Sequence, residues 1–208
     1  VVGFDWNGTI MADNDLMYMV VCEHVALGLG KPPTVPEFLR SFKPPYLDYI
    51  RHYGAVVPES QNWSMWDDMA REIGHPVVHT GVPPVLERFS RREIPVYVIS
   101  ANQRHRVEEE MARQHIREFF RGIHAGDQDK VGGITKVLTE HSVSPNKMVY
   151  IGDMPVDMQA AKKTGVIGIG IGSARGHEEE HCKILLEAGA THAFSSVAKF
   201  HDALIRGL

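Results

Sequence analysis

Short apolar segments alternate with amphipathic ones along most of the chain, and this alternation restricts the fold more than any other feature. Six apolar segments are typical of buried strands, the third of them being the weakest: residues 1–4, 94–100, 122–126, 147–153, 165–172 and 191–194. Helical patterns lie between or after them at residues 82–93, 104–115, 133–142, 156–165, 178–189 and 197–208. Helices that alternate with buried strands predict an α/β fold with a doubly wound, Rossmann-like parallel sheet.

The alternation is interrupted once, between residues 15 and 80, where no strand pattern is apparent. Helical patterns in this segment are separated by the proline- and glycine-containing stretches "GLGKPPT", "FKPPY" and "YGAVVPES". The pattern predicts a small all-α domain inserted after the first strand. We therefore predict a Rossmann-like core domain formed by residues 1–14 and 81–208, and a helical insert formed by residues 15–80.

Composition excludes several classes of protein. The 208 residues are 43% apolar and 23% charged, with a formal net charge of −4, which argues against disorder and gives no reason to expect nucleic acid as a partner. The two cysteines, Cys22 and Cys182, form no CxxC motif, so we expect a reducing compartment and place the protein in the cytoplasm. No apolar run approaches the roughly 20 residues that span a bilayer, so no membrane partner is expected.

Polar residues follow three of the predicted strands. Asp5 follows the first strand, Ser100 and Asn102 follow the second, and Asp153 follows the fourth, with Asp157 four residues further on. Ligands of open α/β sheets bind beyond the carboxyl ends of the strands. These residues are therefore the candidates for a functional site.

Four motifs occur in order along the chain: "FDWNGT", "VISAN", a lysine near "DKVGG", and "IGDMPVD". With these motifs the chain resembles the haloacid dehalogenase-like hydrolase superfamily, in its phosphoglycolate phosphatase-like branch. The predicted insert lies where that superfamily has its cap domain. The resemblance implies a phosphatase, a phosphoric monoester hydrolase, that acts on a small phosphorylated metabolite with Mg²⁺ as cofactor.

The resemblance also implies roles for the acidic residues. Asp5 would attack phosphorus and form an aspartyl-phosphate. Mg²⁺ would be bound by the Asp5 side chain, the backbone carbonyl of Asn7 and the side chain of Asp153. Asp157 would orient the water shell of the ion.

The residues implied in phosphate binding include one lysine. Two candidates exist: Lys136 lies inside a helical pattern, where a solvated face is typical, whereas Lys130 lies at a strand–helix junction from which its side chain can reach the site. We therefore predict that Lys130 is the catalytic, phosphate-neutralising lysine. The full implied set of phosphate-binding residues is Thr9, Ser100, Ala101, Asn102 and Lys130.

Asn7 departs from the pattern of the superfamily, whose phosphatases have a second aspartate at this position. That aspartate protonates the leaving oxygen and then activates the hydrolytic water, and an amide cannot transfer a proton in this way. General acid–base catalysis contributes about 10²–10⁴-fold. We therefore expect a slow or selective phosphatase, in which a good leaving group, a metal-bound water or Asp13 compensates for Asn7.

Two alternatives stay open beside the slow phosphatase. One is a different hydrolase of the same superfamily, either a dehalogenase, which would not need the intact "GDMPVD" metal motif, or a phosphonate hydrolase with Lys31 or Lys43 as an imine-forming lysine. The other is a non-catalytic protein that binds a phosphate ligand or a partner. The retention of the acidic motifs together with Lys130 favours the phosphatase.

Overall fold

The computed structural model describes residues 1–58, 61 and 63–207 of the chain. Across these residues, six parallel strands form one sheet with the order β3-β2-β1-β4-β5-β6. The strands are β1 (Val2–Phe4), β2 (Val96–Ser100), β3 (Gly122–Ala125), β4 (Val149–Gly152), β5 (Ile167–Ile171) and β6 (His192–Phe194). Each strand lies inside one of the predicted apolar segments, so the predicted doubly wound α/β sheet is confirmed.

Ten α-helices accompany this sheet in the described part of the chain. They are α1 (Asn14–Leu27), α2 (Val35–Ser41), α3 (Tyr46–His52), α4 (Ser64–Ile73), α5 (Val82–Ser90), α6 (Arg104–Arg113), α7 (Lys130–His141), α8 (Pro155–Thr164), α9 (Glu178–Glu187) and α10 (Val197–Arg206). Helix α7 begins three residues before the predicted pattern does. Gly132 and Gly133 have low helix propensity, and they obscure the first turn in the sequence.

Both faces of the sheet are covered by helices. Side chains of β2 alternate between two apolar clusters: Val96 and Val98 pack with residues of α5, α6 and α10, whereas Tyr97 and Ile99 pack with residues of α7 and α8. Successive residues of a strand point to opposite faces, so a strand covered on both sides must be apolar throughout. This is why the strands appear as continuous apolar runs in the sequence.

Helices α1 to α4 are inserted between two chain segments, residues 10–12 and 77–79, that are hydrogen-bonded to each other. The Ala12 N–H donates to the Val77 carbonyl at 2.8 Å, and the His79 N–H donates to the Ile10 carbonyl at 3.0 Å. The described residues 14–58, 61 and 63–76 contain no strand. A helical segment therefore follows β1, and the domain limits at residues 15 and 80 stay a prediction.

The helical segment contacts the sheet-containing part on two sides. On one side Arg40 of α2 forms an ion pair with Glu187 of α9 at 2.9 Å. On the other side Arg106 of α6 binds both carboxylate oxygens of Asp67 in α4, at 2.9 and 3.0 Å, and its guanidinium lies 4.3 Å from the ring centroid of Trp63. These contacts hold the helices over the carboxyl ends of the strands. In the described part of the chain, no helix has the length and apolar character that crossing a bilayer requires.

Candidate active site

The central strand β1 lies at the point where the strand order of the sheet reverses. It pairs with β2 on one side and with β4 on the other, because the chain first builds the β2–β3 edge and then returns to start β4. Asp5 comes directly after β1, Ser100 is the last residue of β2, and Asp153 comes directly after β4. The topology thus brings the three predicted strand-end residues to one crevice, at the position where ligands of such sheets bind.

Lys130 joins two of the carboxylates. It is the first residue of α7, and its Nζ lies 2.7 Å from Asp5 Oδ1 and 2.6 Å from Asp157 Oδ1. Asp157 also accepts hydrogen bonds from the Tyr150 hydroxyl at 3.1 Å and from the Met154 N–H at 3.0 Å. Because both of its oxygens are occupied by protein donors, Asp157 is suited to position Lys130.

The buried charges shift the pKa values of this group. Burial raises the pKa of Asp5 to about 6, although the neighbouring Lys130 opposes the shift. Burial lowers the pKa of Lys130, but the carboxylates of Asp157 and Asp5 outweigh it, so that the pKa lies above the usual lysine value. Lys130 is therefore a permanent cation against Asp5.

Asp153 is held from two sides by uncharged donors. The Thr9 hydroxyl donates to its Oδ1 at 2.8 Å, and the Asn14 side-chain amide donates to its Oδ2 at 3.0 Å. Gly8 has a φ of +73°, and a Cβ there would lie 2.1 Å from Asp153 Oδ2. The glycine of "NGT" is thus required both by the turn and by the close approach of this carboxylate.

His181 is a residue of this site that sequence reasoning missed. It is fully buried, and its Nε2 lies 2.6 Å from the backbone carbonyl of Asp153. The Ala174 N–H donates to its Nδ1 at 3.3 Å, which makes Nδ1 the acceptor and Nε2 the donor. Burial lowers the pKa of His181 to about 4, so the ring is neutral and fixes the backbone at Asp153. A histidine in the middle of a helical pattern gives no sequence signal for this role.

The acidic residues have the composition of a divalent cation site. Carboxylate oxygens of Asp5, Asp153 and Asp157 lie within 4.8 Å of one another. Three carboxylates here face the single ammonium of Lys130. Burial, together with the Asp5 and Asp157 carboxylates, raises the pKa of Asp153 well above its usual value, and a cation bound here would favour its ionised form. Asn14 Oδ1 is a buried acceptor without a partner in the described residues. An all-oxygen set with excess negative charge suits a hard cation such as Mg²⁺.

Asn7 is fixed by two neighbours. Its Nδ2 donates to Asp13 Oδ2 at 2.5 Å, and its Oδ1 accepts from Asn102 Nδ2 at 3.0 Å. The other oxygen of Asp13 accepts from the Gly8 N–H at 2.6 Å. Burial raises the pKa of Asp13 to about 8, and the hydrogen bonds from Asn7 and Gly8 oppose that shift.

A cavity of about 300 Å³ opens above these residues. We call its polar side, at the strand ends, the floor; it is formed by Asp5, Asn7, Ser100, Asn102, Lys130 and Asp153, together with the small Ala101. We call the side formed by the helical segment the roof; it consists of Met17, Val20, Phe42, Tyr46, Leu47, Trp63 and Trp66, with two prolines, Pro44 and Pro45.

The structure places most, but not all, of the predicted site residues on this cavity. All of the floor residues were candidates. Thr9 and Asp157 were also candidates but do not line the cavity: the Thr9 hydroxyl is hydrogen-bonded to Asp153, and the Asp157 carboxylate is bound to Lys130. None of the roof residues was among the predicted site residues. Their position depends on how α1, α3 and α4 fold over the sheet, which periodicity does not reveal.

Comparison with known proteins agrees with this geometry. The family model described as haloacid dehalogenase-like hydrolase matches residues 2–171, and the chain belongs to this family. A phosphoglycolate phosphatase of Synechococcus elongatus is 26% identical over 93 residues, and the match spans 44% of this chain and 44% of that relative, less than half of its length.

Two solved structures share the fold over nearly their whole length. A conserved haloacid dehalogenase-like protein of unknown function from Agrobacterium tumefaciens has a TM-score of 0.76 at 18% identity and covers 99% of this chain and 97% of its own. CbbY from Rhodobacter sphaeroides, solved in complex with phosphate, has a TM-score of 0.62 at 21% identity, with 96% and 95% covered. At these identities the likeness concerns the fold.

Proposed function

We propose that the protein is a Mg²⁺-dependent phosphatase that acts on a small phosphorylated metabolite through an aspartyl-phosphate on Asp5. The observation that carries the proposal is the buried Asp5 carboxylate at the base of the cavity, 2.7 Å from the Lys130 ammonium and grouped with Asp153. The curated relative, named a phosphoglycolate phosphatase, and the neighbour solved with phosphate support the same class of substrate.

In the first step, an Asp5 oxygen attacks phosphorus while the bond to the leaving oxygen breaks. Lys130 neutralises charge on the nucleophile and on the phosphoryl group, since it lies within ion-pair distance of Asp5. We propose that Ser100, which ends β2 and lines the cavity, binds a phosphoryl oxygen, while the Asn102 N–H donates to its Oγ at 3.1 Å and orients it. Mg²⁺, when bound at the acidic cluster, would neutralise further charge on the phosphoryl oxygens.

In the second step, water cleaves the aspartyl-phosphate and releases inorganic phosphate. Asn7 cannot act as the base for this water, and Asp13 is not among the residues that line the cavity. We therefore propose that turnover is slower than it would be with a carboxylate at position 7. General acid–base catalysis usually contributes about 10²–10⁴-fold, and we expect the loss here to be a fraction of that factor.

The alternatives differ in the support that they receive. An imine mechanism needs a lysine in the cavity besides Lys130, yet Lys31 and Lys43 are exposed and neither lines the cavity. The non-catalytic alternative rests on one observation, which is that the amide of Asn7 is hydrogen-bonded on both sides like a structural residue. We keep a phosphate-binding protein as the second candidate for that reason.

The test is phosphate release from a panel of small phosphate esters, measured with Mg²⁺ and after exhaustive chelation. We expect slow release that requires Mg²⁺ and is restored when the ion is added back. Full activity in EDTA would contradict the metal assignment. Binding of inorganic phosphate without turnover on any ester would favour the binding protein.

A further inference from the structure

The roof of the cavity carries no charge. Seven of its residues are aliphatic, aromatic or methionine side chains, and the two prolines between Phe42 and Tyr46 are likewise apolar. The one hydroxyl among them, that of Tyr46, contacts His24 Nδ1 at 2.7 Å and is therefore already partnered. The leaving group of a substrate would rest against this roof, because the phosphoryl group must lie at Asp5 on the floor.

Among the described residues, no cationic side chain at the roof is free to bind an acidic leaving group. Lys130 is the one lysine, arginine or histidine among the described residues that line the cavity, and it is held between Asp5 and Asp157. Arg106 lies behind Trp63 and is bound to both oxygens of Asp67. The residues outside the described ranges are Glu59, Ser60, Asn62 and Leu208, and none of them is cationic.

A carboxylate in the leaving group, such as that of phosphoglycolate, would meet no cation on the roof, and the amides of Gln103 and Gln128, which also line the cavity, would leave its charge uncompensated. Burying such a charge is unfavourable. A flat, uncharged ring would instead meet the faces or edges of Phe42, Trp63 and Trp66, with which aromatic groups pack favourably. The cavity volume of about 300 Å³ lies at the lower end of ligand pockets and suits a phosphate with one small ring.

The floor gives a second, independent indication. Asn7 donates its N–H to Asp13 and has no proton to transfer, and Asp13 lies outside the cavity lining. The leaving oxygen must then depart as an anion or be protonated by water. A phenol, like the tyrosine side chain, has a pKa of about 10, whereas an aliphatic alcohol resembles water, with a pKa of about 15.7. A phenolate therefore leaves without help where an alkoxide does not.

We propose that the substrate is a small aryl phosphate, the phosphate monoester of an uncharged phenol. The proposal rests on the proposed phosphatase function and names its substrate class. An Asp5 oxygen forms a bond to phosphorus, the bond between phosphorus and the aryl oxygen breaks, and the electron pair leaves with the phenolate, which takes a proton from solvent. Water then adds to phosphorus, and the bond to Asp5 breaks. The products are a phenol and inorganic phosphate, and the Asp5 carboxylate is restored.

The first experiment separates ring recognition from leaving-group departure. Phenyl phosphate, benzyl phosphate and 2-phosphoglycolate are compared by kcat/KM with Mg²⁺, and phenylphosphonate and phosphonoacetate are compared as ligands by calorimetry. We expect phenyl phosphate to exceed phosphoglycolate by at least about a hundredfold. Benzyl phosphate should share the KM of phenyl phosphate but have a lower kcat. Phenylphosphonate should bind at least about tenfold more tightly than phosphonoacetate.

A matched pair of variants tests the roof directly. Leu47→Arg places a cation in the cavity, and Val56→Arg places the same charge at a residue of the helical segment that is 83% exposed and outside the cavity. Leu47→Arg should lower kcat/KM for phenyl phosphate and raise it for phosphoglycolate, each by about tenfold. Val56→Arg should change neither value. The phosphonate comparison uses the unaltered protein and so remains decisive if Leu47→Arg does not fold.

The outcomes distinguish the aryl substrate class from the phosphatase function itself. Turnover that favours phosphoglycolate, or tighter binding of phosphonoacetate, would overturn the aryl assignment and leave the phosphatase intact. Tight phenylphosphonate binding without turnover on any ester would overturn the phosphatase and retain the aryl ligand. Absence of both turnover and phosphonate binding would overturn both.

Discussion

The floor and the roof of the cavity are built on different principles. On the floor, Asp5 and Lys130 are buried, and Asp157, outside the cavity lining, fixes Lys130; the ion pairs and hydrogen bonds of this group measure 2.6 to 3.1 Å. On the roof, side chains meet mainly through apolar contacts. Helices α2 and α4 of the helical segment are joined to the sheet-containing part by ion pairs at partly exposed positions. A substitution at Asp5 or Lys130 therefore removes a charged partner, whereas an apolar substitution on the roof changes only packing contacts. In the proposed phosphatase, the floor would set the reaction type and the roof would set the choice of leaving group.

The strongest test of the floor is Asp5→Asn. The side chain keeps its shape but loses its nucleophilicity, so turnover should fall by at least about 10⁴-fold. Thermal stability should not decrease, because the change removes one of several crowded carboxylates. Phosphate release and thermal unfolding measure the two effects. If Asp5→Asn turns over normally, Asp5 is not the nucleophile.

A second test changes the same residue type at a buried and at an exposed position of α7. Lys130→Met removes the cation beside Asp5, and turnover should fall by about 10²–10³-fold. Lys136→Met, on the exposed face of the same helix, is the matched control and should leave turnover unchanged. A larger loss for the Lys136 variant would assign the phosphate-neutralising role to that residue.

Asn7→Asp should increase activity. It supplies a carboxyl group at the missing acid–base position, and turnover on benzyl phosphate should rise by about 10–100-fold, a fraction of the general acid–base contribution. The gain on phenyl phosphate should be smaller if departure of the leaving group limits the rate. Equal gains on both esters, with a burst in the unaltered enzyme, would show that breakdown of the aspartyl-phosphate is limiting.

The neighbour of Asn7 complicates this variant and also supplies its control. A carboxylate at position 7 would meet Asp13, whose Oδ2 lies 2.5 Å from the present amide nitrogen. The double variant Asn7→Asp/Asp13→Asn exchanges the two groups and keeps one amide and one carboxyl in hydrogen-bond contact. If the gain is absent from both variants on every ester, position 7 is not a site of proton transfer in this protein.

The smallest effect is expected at Arg106, which binds Asp67 and contacts Trp63 of the roof. Arg106→Gln removes the ion pair with Asp67 and the contact with Trp63, and should cost about 1 kcal/mol of unfolding free energy and raise KM more than it lowers kcat. Arg91→Gln removes an exposed ion pair with Glu87 far from the roof and serves as the control. Chemical denaturation and steady-state kinetics measure both. A loss of kcat without a change in KM would contradict a role in closing the roof.

The two regions also differ in how well the sequence predicted them. Asp5, Ser100 and Asp153 could be placed together because they follow strands whose order in the sheet is restricted by chain connectivity. Lys130 could be preferred over Lys136 because it lies at a strand–helix junction. The roof could not be predicted, since Trp63 and Leu47 reach the cavity through the packing of short helices that no periodicity fixes. His181 was missed for the same reason, because its partner is a backbone carbonyl 28 residues earlier in the chain.

The hydrogen bonds around Gly8 also bear on the chemical ageing of the protein. Asn-Gly is the dipeptide most prone to deamidation, which begins when the glycine nitrogen attacks the asparagine side chain to form a succinimide. Here the Gly8 N–H is bound to Asp13 Oδ1, and the Asn7 amide is held by Asp13 and Asn102. We therefore expect the folded chain to keep its asparagine and deamidation to proceed mainly in molecules that are unfolded, at least locally, around Gly8. A fresh, well-folded preparation reports the activity of the amide, whereas a partly unfolded one that has been stored would acquire aspartate or isoaspartate at position 7, and the aspartate fraction would add the activity that we expect of Asn7→Asp.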